Sequence, residues 1–160
     1  MRALKAAARR LNLSPQRWPK EADVRDSLRA RMRMFETDST VRVRAMQLAA
    51  LDAMQQMQQF DPRAIGGIIE GALPIDSAIA IELIAAHPDD VRMWLMQLKV
   101  PFEQRFYGLE PRFEFRAGAF AYCLYVVSDA QKRDPLGVRP AQFLRQMELS
   151  AQIDKVQAYS

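Results

Sequence analysis

The sequence predicts an α+β fold: a small mixed β-sheet packed by helices and preceded by an N-terminal helical segment. Three observations carry the prediction. Apolar residues recur at threes and fours from Val41 to Phe60 and again from Pro140 to about Ala158, which is the period of a helix with one buried face. Arg112-Phe113-Glu114-Phe115-Arg116 alternates strictly, as a half-buried strand does. Ala78 to Ala85 and Phe120 to Val127 are apolar runs of strand length. The predicted order is three helices, two strands, one helix, two or three strands and one helix. Residues 1–60 form the helical segment and 61–160 an α/β domain, together one compact unit.

Each element has a local reason. Residues 2–12 read as a short helix with Leu4, Ala8 and Leu11 on one side. Ser14-Pro15 and Trp18-Pro19 interrupt it, because proline disfavours helix at the residue before it. Pro19 suits the first turn of the next helix, and Glu21 and Asp23 complement its N-terminal dipole. Val24, Leu28, Met32 and Phe35 make its apolar stripe, and Arg25, Arg29 and Arg33 line up beside it at a spacing of four. Thr37-Asp38-Ser39-Thr40 is a capping cluster that predicts a new helix start. The third helix carries Val43, Met46, Ala50, Met54, Met57 and Phe60 on one face. Its methionines read as core, with an adaptable partner groove as the alternative. Asp61-Pro62 closes it.

Ala64 to Ile69 is a short β-rich run holding Gly66-Gly67, and Pro74 to Ser77 a turn. The next strand puts Ile79, Ile81 and Leu83 on one face. Pro88 at the first position and Asp89-Asp90 in the first turn start a helix that ends near Lys99, with Val91, Trp94, Leu95 and Leu98 facing the core. Alternating strands follow from Phe102. Lys132 to Pro135 is a loop. The last helix buries Phe143, Leu144, Met147, Ile153 and Val156.

Composition narrows the class. At 160 residues, 49% hydrophobic and 26% charged, the chain supports one well-buried core. The longest apolar run, Ala117 to Val127, is too short to span a bilayer. The first thirteen residues are basic and share the acid-free, Arg-rich character of transit peptides, but a helical period makes a helix the simpler reading. A lone Cys123 excludes an intramolecular disulfide, so the expected compartment is cytoplasmic, and with a single His87 no zinc site of the usual kind can form. Net charge is +4, but residues 1–44 hold twelve Lys/Arg against five Asp/Glu while the remainder is acidic. That asymmetry points to nucleic acid through Arg25, Arg29 and Arg33, or else to a solvated helical face. No membrane partner is expected. A homo-oligomer could form through the Met-rich helix or an open sheet edge.

The stretch Ile65 to Leu83 resembles the signature of the polymerase-beta-type nucleotidyltransferase fold. In that signature a Gly-Gly or Gly-Ser turn precedes a strand carrying two carboxylates two residues apart. The chain is similar, along nearly its whole length, to an uncharacterised group of bacterial nucleotidyltransferase-like proteins. The likeness rests on Trp18-Pro19-Lys20-Glu21, Phe60-Asp61-Pro62-Arg63, Gly71-Ala72, Pro88-Asp89-Asp90 and Lys99-Val100-Pro101-Phe102-Glu103. By that resemblance Gly66 and Gly67 are the phosphate-side turn, Ser77 leads the strand, and Ala78 and Ala80 stand where the metal-binding carboxylates belong. Residues 61–160 are then the nucleotidyltransferase-like domain.

The chemistry decides what those replacements imply. Nucleotidyl transfer needs divalent metals to bridge triphosphate oxygens and activate the attacking hydroxyl. Carboxylates two apart on a strand share a face and can share two metals, whereas alanine offers no oxygen. A third acid is expected on a later strand, and Cys123 lies near that place. Asp76 and Glu82 share strand parity but would stand on the order of 20 Å apart, and Glu70 has no local second acid. The expectation is therefore a catalytically degenerate scaffold acting in binding or assembly, without metal or other cofactor. One alternative is a nucleic-acid-associated protein. Another is a Mg-dependent enzyme built on Glu70, Asp76 and Glu82. A His87, Cys123 and Asp89 trio is a further catalytic combination, against which a junction histidine that simply hydrogen-bonds is the plainer reading.

Overall fold

The computed structural model describes residues 21–74, 76–108 and 110–159. The expected helix at 2–12 and the Trp18-Pro19 punctuation lie outside the described residues. Contacts divide the chain into two units, Met1–Thr40 and Val41–Ser160. The described part of the first is helical. The second holds a five-stranded mixed sheet and the helices against it, so the fold class is α+β.

Helix α1 spans Glu21–Gln56 without a break. The capping cluster at 37–40 does not start a new helix. Ser, Thr and Asp are neutral to mildly unfavourable inside a helix when their side chains stay in solvent, and Asp38, Ser39 and Thr40 are exposed. From Val43 onward the expected stripe holds: Met46, Ala50, Met54, Met57 and Phe60 are buried, so the methionines fill the core. Leu28, in contrast, is exposed. The helix gives way to a 3-10 turn at Gln58–Phe60, and Asp61 takes a left-handed conformation (φ 46°) that reverses the chain.

The predicted β-run at 64–69 shrinks to a two-residue strand, β1 (Arg63–Ala64), and a 3-10 turn at Gly66–Ile68. The cause is local: Gly66 adopts φ +75°, which no extended strand tolerates. Strand β2 (Ile79–Ile84) leads to α2 (Pro88–Gln97), then β3 (Phe102–Tyr107), β4 (Glu110–Ala117), β5 (Phe120–Val127) and α3 (Pro140–Ala158). The sheet order is β1-β2-β5-β4-β3, with β2 and β5 parallel and every other pair antiparallel.

One face of the sheet is the core. Ile79, Ile81, Leu83, Phe113 and Leu124 are fully buried there with Met46, Met54, Val91, Leu95 and Phe143. Trp94 meets Phe60 edge-on at 5.9 Å, and Phe115 stacks on Tyr122 at 5.2 Å, geometries that aromatic quadrupoles favour. Two expectations for the helices fail. Leu98 is half exposed at the end of α2, and on α3 only the first turns are covered. Phe143 and Met147 are buried, whereas Leu144, Ile153 and Val156 are exposed. Among the described residues no helix is long and apolar enough to cross a membrane.

Candidate functional site: the open face of the sheet

Strand parity builds the opposite face. Ile79, Ile81 and Leu83 point to the core, so Ala78, Ala80 and Glu82 point away from it. Register then fixes the neighbours. Ala80 lies across from Cys123, Cys123 from Glu114, and Glu114 from Glu103. The next rung on the same face reads Arg63, Glu82, Tyr125, Arg112 and Arg105. Ala78, Glu103, Glu114, Arg116 and Cys123 help line a cleft of about 500 Å³. The two alanines and the cysteine that the sequence singles out therefore share one small area of sheet.

Its charges are partly paired. Arg105 donates to Glu103 at 3.1 Å and reaches Glu114 at 3.2 Å. Arg112 lies over the rings of Tyr107 and Tyr125, 3.8 and 4.4 Å from their centroids, a cation–π sandwich. Its Nε is buried and has no acceptor among the described residues. Burial pushes the Cys123 thiol above its ordinary range, although the Tyr125 hydroxyl bonded to it pulls the other way. A thiol held neutral is a poor nucleophile and a poor metal ligand.

The three acids proposed as substitutes do not converge. Glu70 and Asp76 are exposed in the connection between β1 and β2. Glu82 is 5% exposed and committed elsewhere. Its carboxylate accepts from Arg133 Nε at 2.9 Å and from the Asp134 backbone N–H at 3.1 Å. Arg133, itself buried, also donates to the carboxylate and the carbonyl of Asp61, at 2.8 and 2.5 Å, and to the Glu82 carbonyl at 3.0 Å. Four donations from one guanidinium staple the 129–134 loop to β2 and to the turn after α1. Sequence reasoning left Arg133 in a loop. The available signal was Glu82 itself, a carboxylate in the middle of Ile-Ala-Ile-Glu-Leu-Ile, which requires a buried cation. Sequence alone could not choose among 23 Lys and Arg.

The glycine turn is closed on itself. A Cβ on Gly67 would stand 2.4 Å from the Ala72 carbonyl oxygen, and the Ala72 N–H donates to the Gly67 carbonyl at 3.0 Å. Gln47 reaches from α1 to the Ile68 carbonyl at 3.1 Å and fastens the turn to the core. Ser77 is half-buried, its N–H bonded to the Pro74 carbonyl. His87 is exposed at the N-terminus of α2 with no side-chain capping bond. It follows the end of β2, whose Ile84 pairs with Val127, four residues beyond Cys123 on β5; the His–Cys–Asp trio is therefore not assembled. Arg25 and Arg29 are exposed on α1, and the side chain of Arg33 lies outside the described residues. Among the described residues no group of three or more His, Cys, Asp and Glu could hold a metal ion.

Comparison with protein-family models, with curated proteins and with solved structures finds no match for this chain.

Proposed function

We propose that this chain is a nucleotidyltransferase-type scaffold that lacks the metal-binding carboxylates and acts by binding or assembly. The supporting observation is the rung that pairs Ala80 with Cys123, with Ala78 one step along the same face. Two-metal chemistry at that place needs carboxylate oxygens from both strands. Two methyl groups and a protonated thiol supply none, and Glu82, the acid two residues further along, is neutralised by Arg133.

The test has two arms. The purified chain is incubated with Mg²⁺ or Mn²⁺ and each labelled nucleoside triphosphate, and transfer to protein, nucleic acid or small acceptors is followed. The expected result is none. Metal-dependent transfer that disappears in Asp76→Asn would overturn the proposal. In the second arm Ala78→Asp, Ala80→Asp and Cys123→Asp are combined and Mn²⁺ binding is measured by calorimetry. A nucleotidyltransferase-type scaffold gains a Mn²⁺ site that the wild type lacks. A folded triple variant with no gain rejects the scaffold assignment.

A further inference from the structure

We infer that strand β3 is a self-complementary edge through which two copies of this chain pair antiparallel into one continuous sheet. The two ends of the sheet are treated differently. At the β1 end, Ala64 exchanges backbone hydrogen bonds of 2.8 and 2.9 Å with Val138, so the edge is closed by the chain's own loop. At the other end β3 pairs only with β4, and no described strand covers its outer side. An uncovered strand presents a row of backbone donors and acceptors to any chain that fits it.

The side chains say which chain fits. Phe102-Glu103-Gln104-Arg105-Phe106 is a palindrome in character about Gln104, with opposite charges in the mirrored positions. A two-fold axis through Gln104 sets Glu103 against Arg105 of the second copy and Arg105 against Glu103 of the second copy. The same axis sets Phe102 against Phe106 of the second copy, twice. Opposite charges and aromatic pairs directly across an antiparallel ladder are stabilising, and like charges are not. Neighbouring registers lose this match. Moving the axis to Glu103 puts Glu on Glu, and moving it to Arg105 puts Arg on Arg. A half-step shift joins the apolar face of one copy to the charged face of the other.

Exposure agrees. Phe106 is 65% exposed and Tyr107 50%, large aromatic surfaces on an edge strand that a second copy would cover. Glu103 and Arg105 now bond within one strand at 3.1 Å. In the pair each meets its opposite across the two-fold through the Arg105 Nη2 group, while Arg105 Nε keeps Glu114 at 3.2 Å. This inference gives the assembly half of the proposed function a partner and rests on that reading only for its purpose. Association is measured without nucleotide or metal, so its failure is distinguishable from detection of catalysis.

The experiment is sedimentation equilibrium of the full chain across a concentration series, with circular dichroism to verify folding. The wild type is expected to dimerise reversibly. Glu103→Arg, at an exposed position, places Arg against Arg and should weaken the dimer by roughly tenfold or more. Glu103→Arg combined with Arg105→Glu restores the opposite-charge match and should recover most of that loss. Gln104→Cys in a Cys123→Ala background brings two thiols together on the axis and should give an oxidised dimer that reducing agent releases. Gln131→Cys, exposed in the 129–134 loop, should not. A wild type that is monomeric at about 100 μM, or a dimer indifferent to Glu103→Arg with no cross-link at position 104, overturns the inference.

Discussion

Glu82→Gln should be among the most damaging single-atom-scale changes in this chain, and the reason is electrostatic. The Arg133 side chain is 2% exposed and that of Glu82 6%, with 2.9 Å between them. A glutamine in place of Glu82 would remove the charge that compensates a buried guanidinium. It would also turn an NH₂ donor toward either Arg133 or the Asp134 N–H, since an amide has one acceptor oxygen where the carboxylate has two. Breaking a buried pair from one side costs about 3–5 kcal/mol. Asp61 stays within 2.8 Å of Arg133, but its side chain is 48% exposed and compensates less well. The expected loss is therefore at the low end, about 3 kcal/mol, or a fall in Tm of about 10 °C for a chain of this size. Urea denaturation gives the free energy and thermal melting by circular dichroism the midpoint. The companion variant combines Glu82→Leu with Arg133→Met. Removing both charges leaves no buried charge uncompensated, and the half-exposed Asp61 carboxylate keeps water and Arg139 at 3.9 Å, so much of the loss should be recovered, less the acceptor that the Asp134 N–H gives up. A Glu82→Gln protein within about 0.5 kcal/mol of wild type, or a double variant worse than either single, would refute the reasoning.

Two further outcomes follow from the geometry. Gly67→Ala forces a methyl group against the Ala72 carbonyl, with 2.4 Å available, so backbone must move and about 2 kcal/mol should be lost. Gly66→Ala meets nothing within 4 Å and bears only the strain of φ +75°, so it should cost less, about 1 kcal/mol; equal losses measured in urea would show that the 67–72 contact is soft. Burial raises the Cys123 thiol, and burial likewise raises the Tyr125 and Tyr122 hydroxyls. A raised acid favours the folded state below its unfolded pKa, and that contribution is lost as pH climbs toward the folded value. Stability should hold to about pH 8.5 and decline above it. Cys123→Ala should flatten the decline between about pH 8.5 and 10, leaving the tyrosine part at higher pH. An unchanged slope in that variant would show that the thiol is not responsible.

Much of the architecture was legible because it rests on period. The stripe from Met46 to Phe60 and the alternation through Phe113 and Phe115 both report which side chains must leave water, and burial followed them. The apolar β2 face, Ile79, Ile81 and Leu83, was readable for the same reason. Where the reading failed, context overrode a local signal. The 37–40 cluster has the chemistry of a helix cap, yet a cap needs the backbone to break there, and the helix continues. Ile153 and Val156 repeat at helical spacing, yet spacing cannot say how far along α3 the rest of the protein reaches.

The candidate site divides in the same way. Identity of residues alone determined that Ala78 and Ala80 carry no oxygen and that Cys123 has no disulfide partner. It also determined that Glu103 and Arg105 are mirrored about Gln104. Those are properties of composition and order, and no folding alters them. Only the tertiary structure decided that Ala80 faces Cys123, that Glu82 belongs to Arg133 fifty-one residues away, and that β3 rather than β1 is the edge left uncovered among the described residues. Each depends on which strands lie side by side and in what register. That is settled by burial of the whole apolar face at once, because pairing between distant segments leaves no periodic trace in either one.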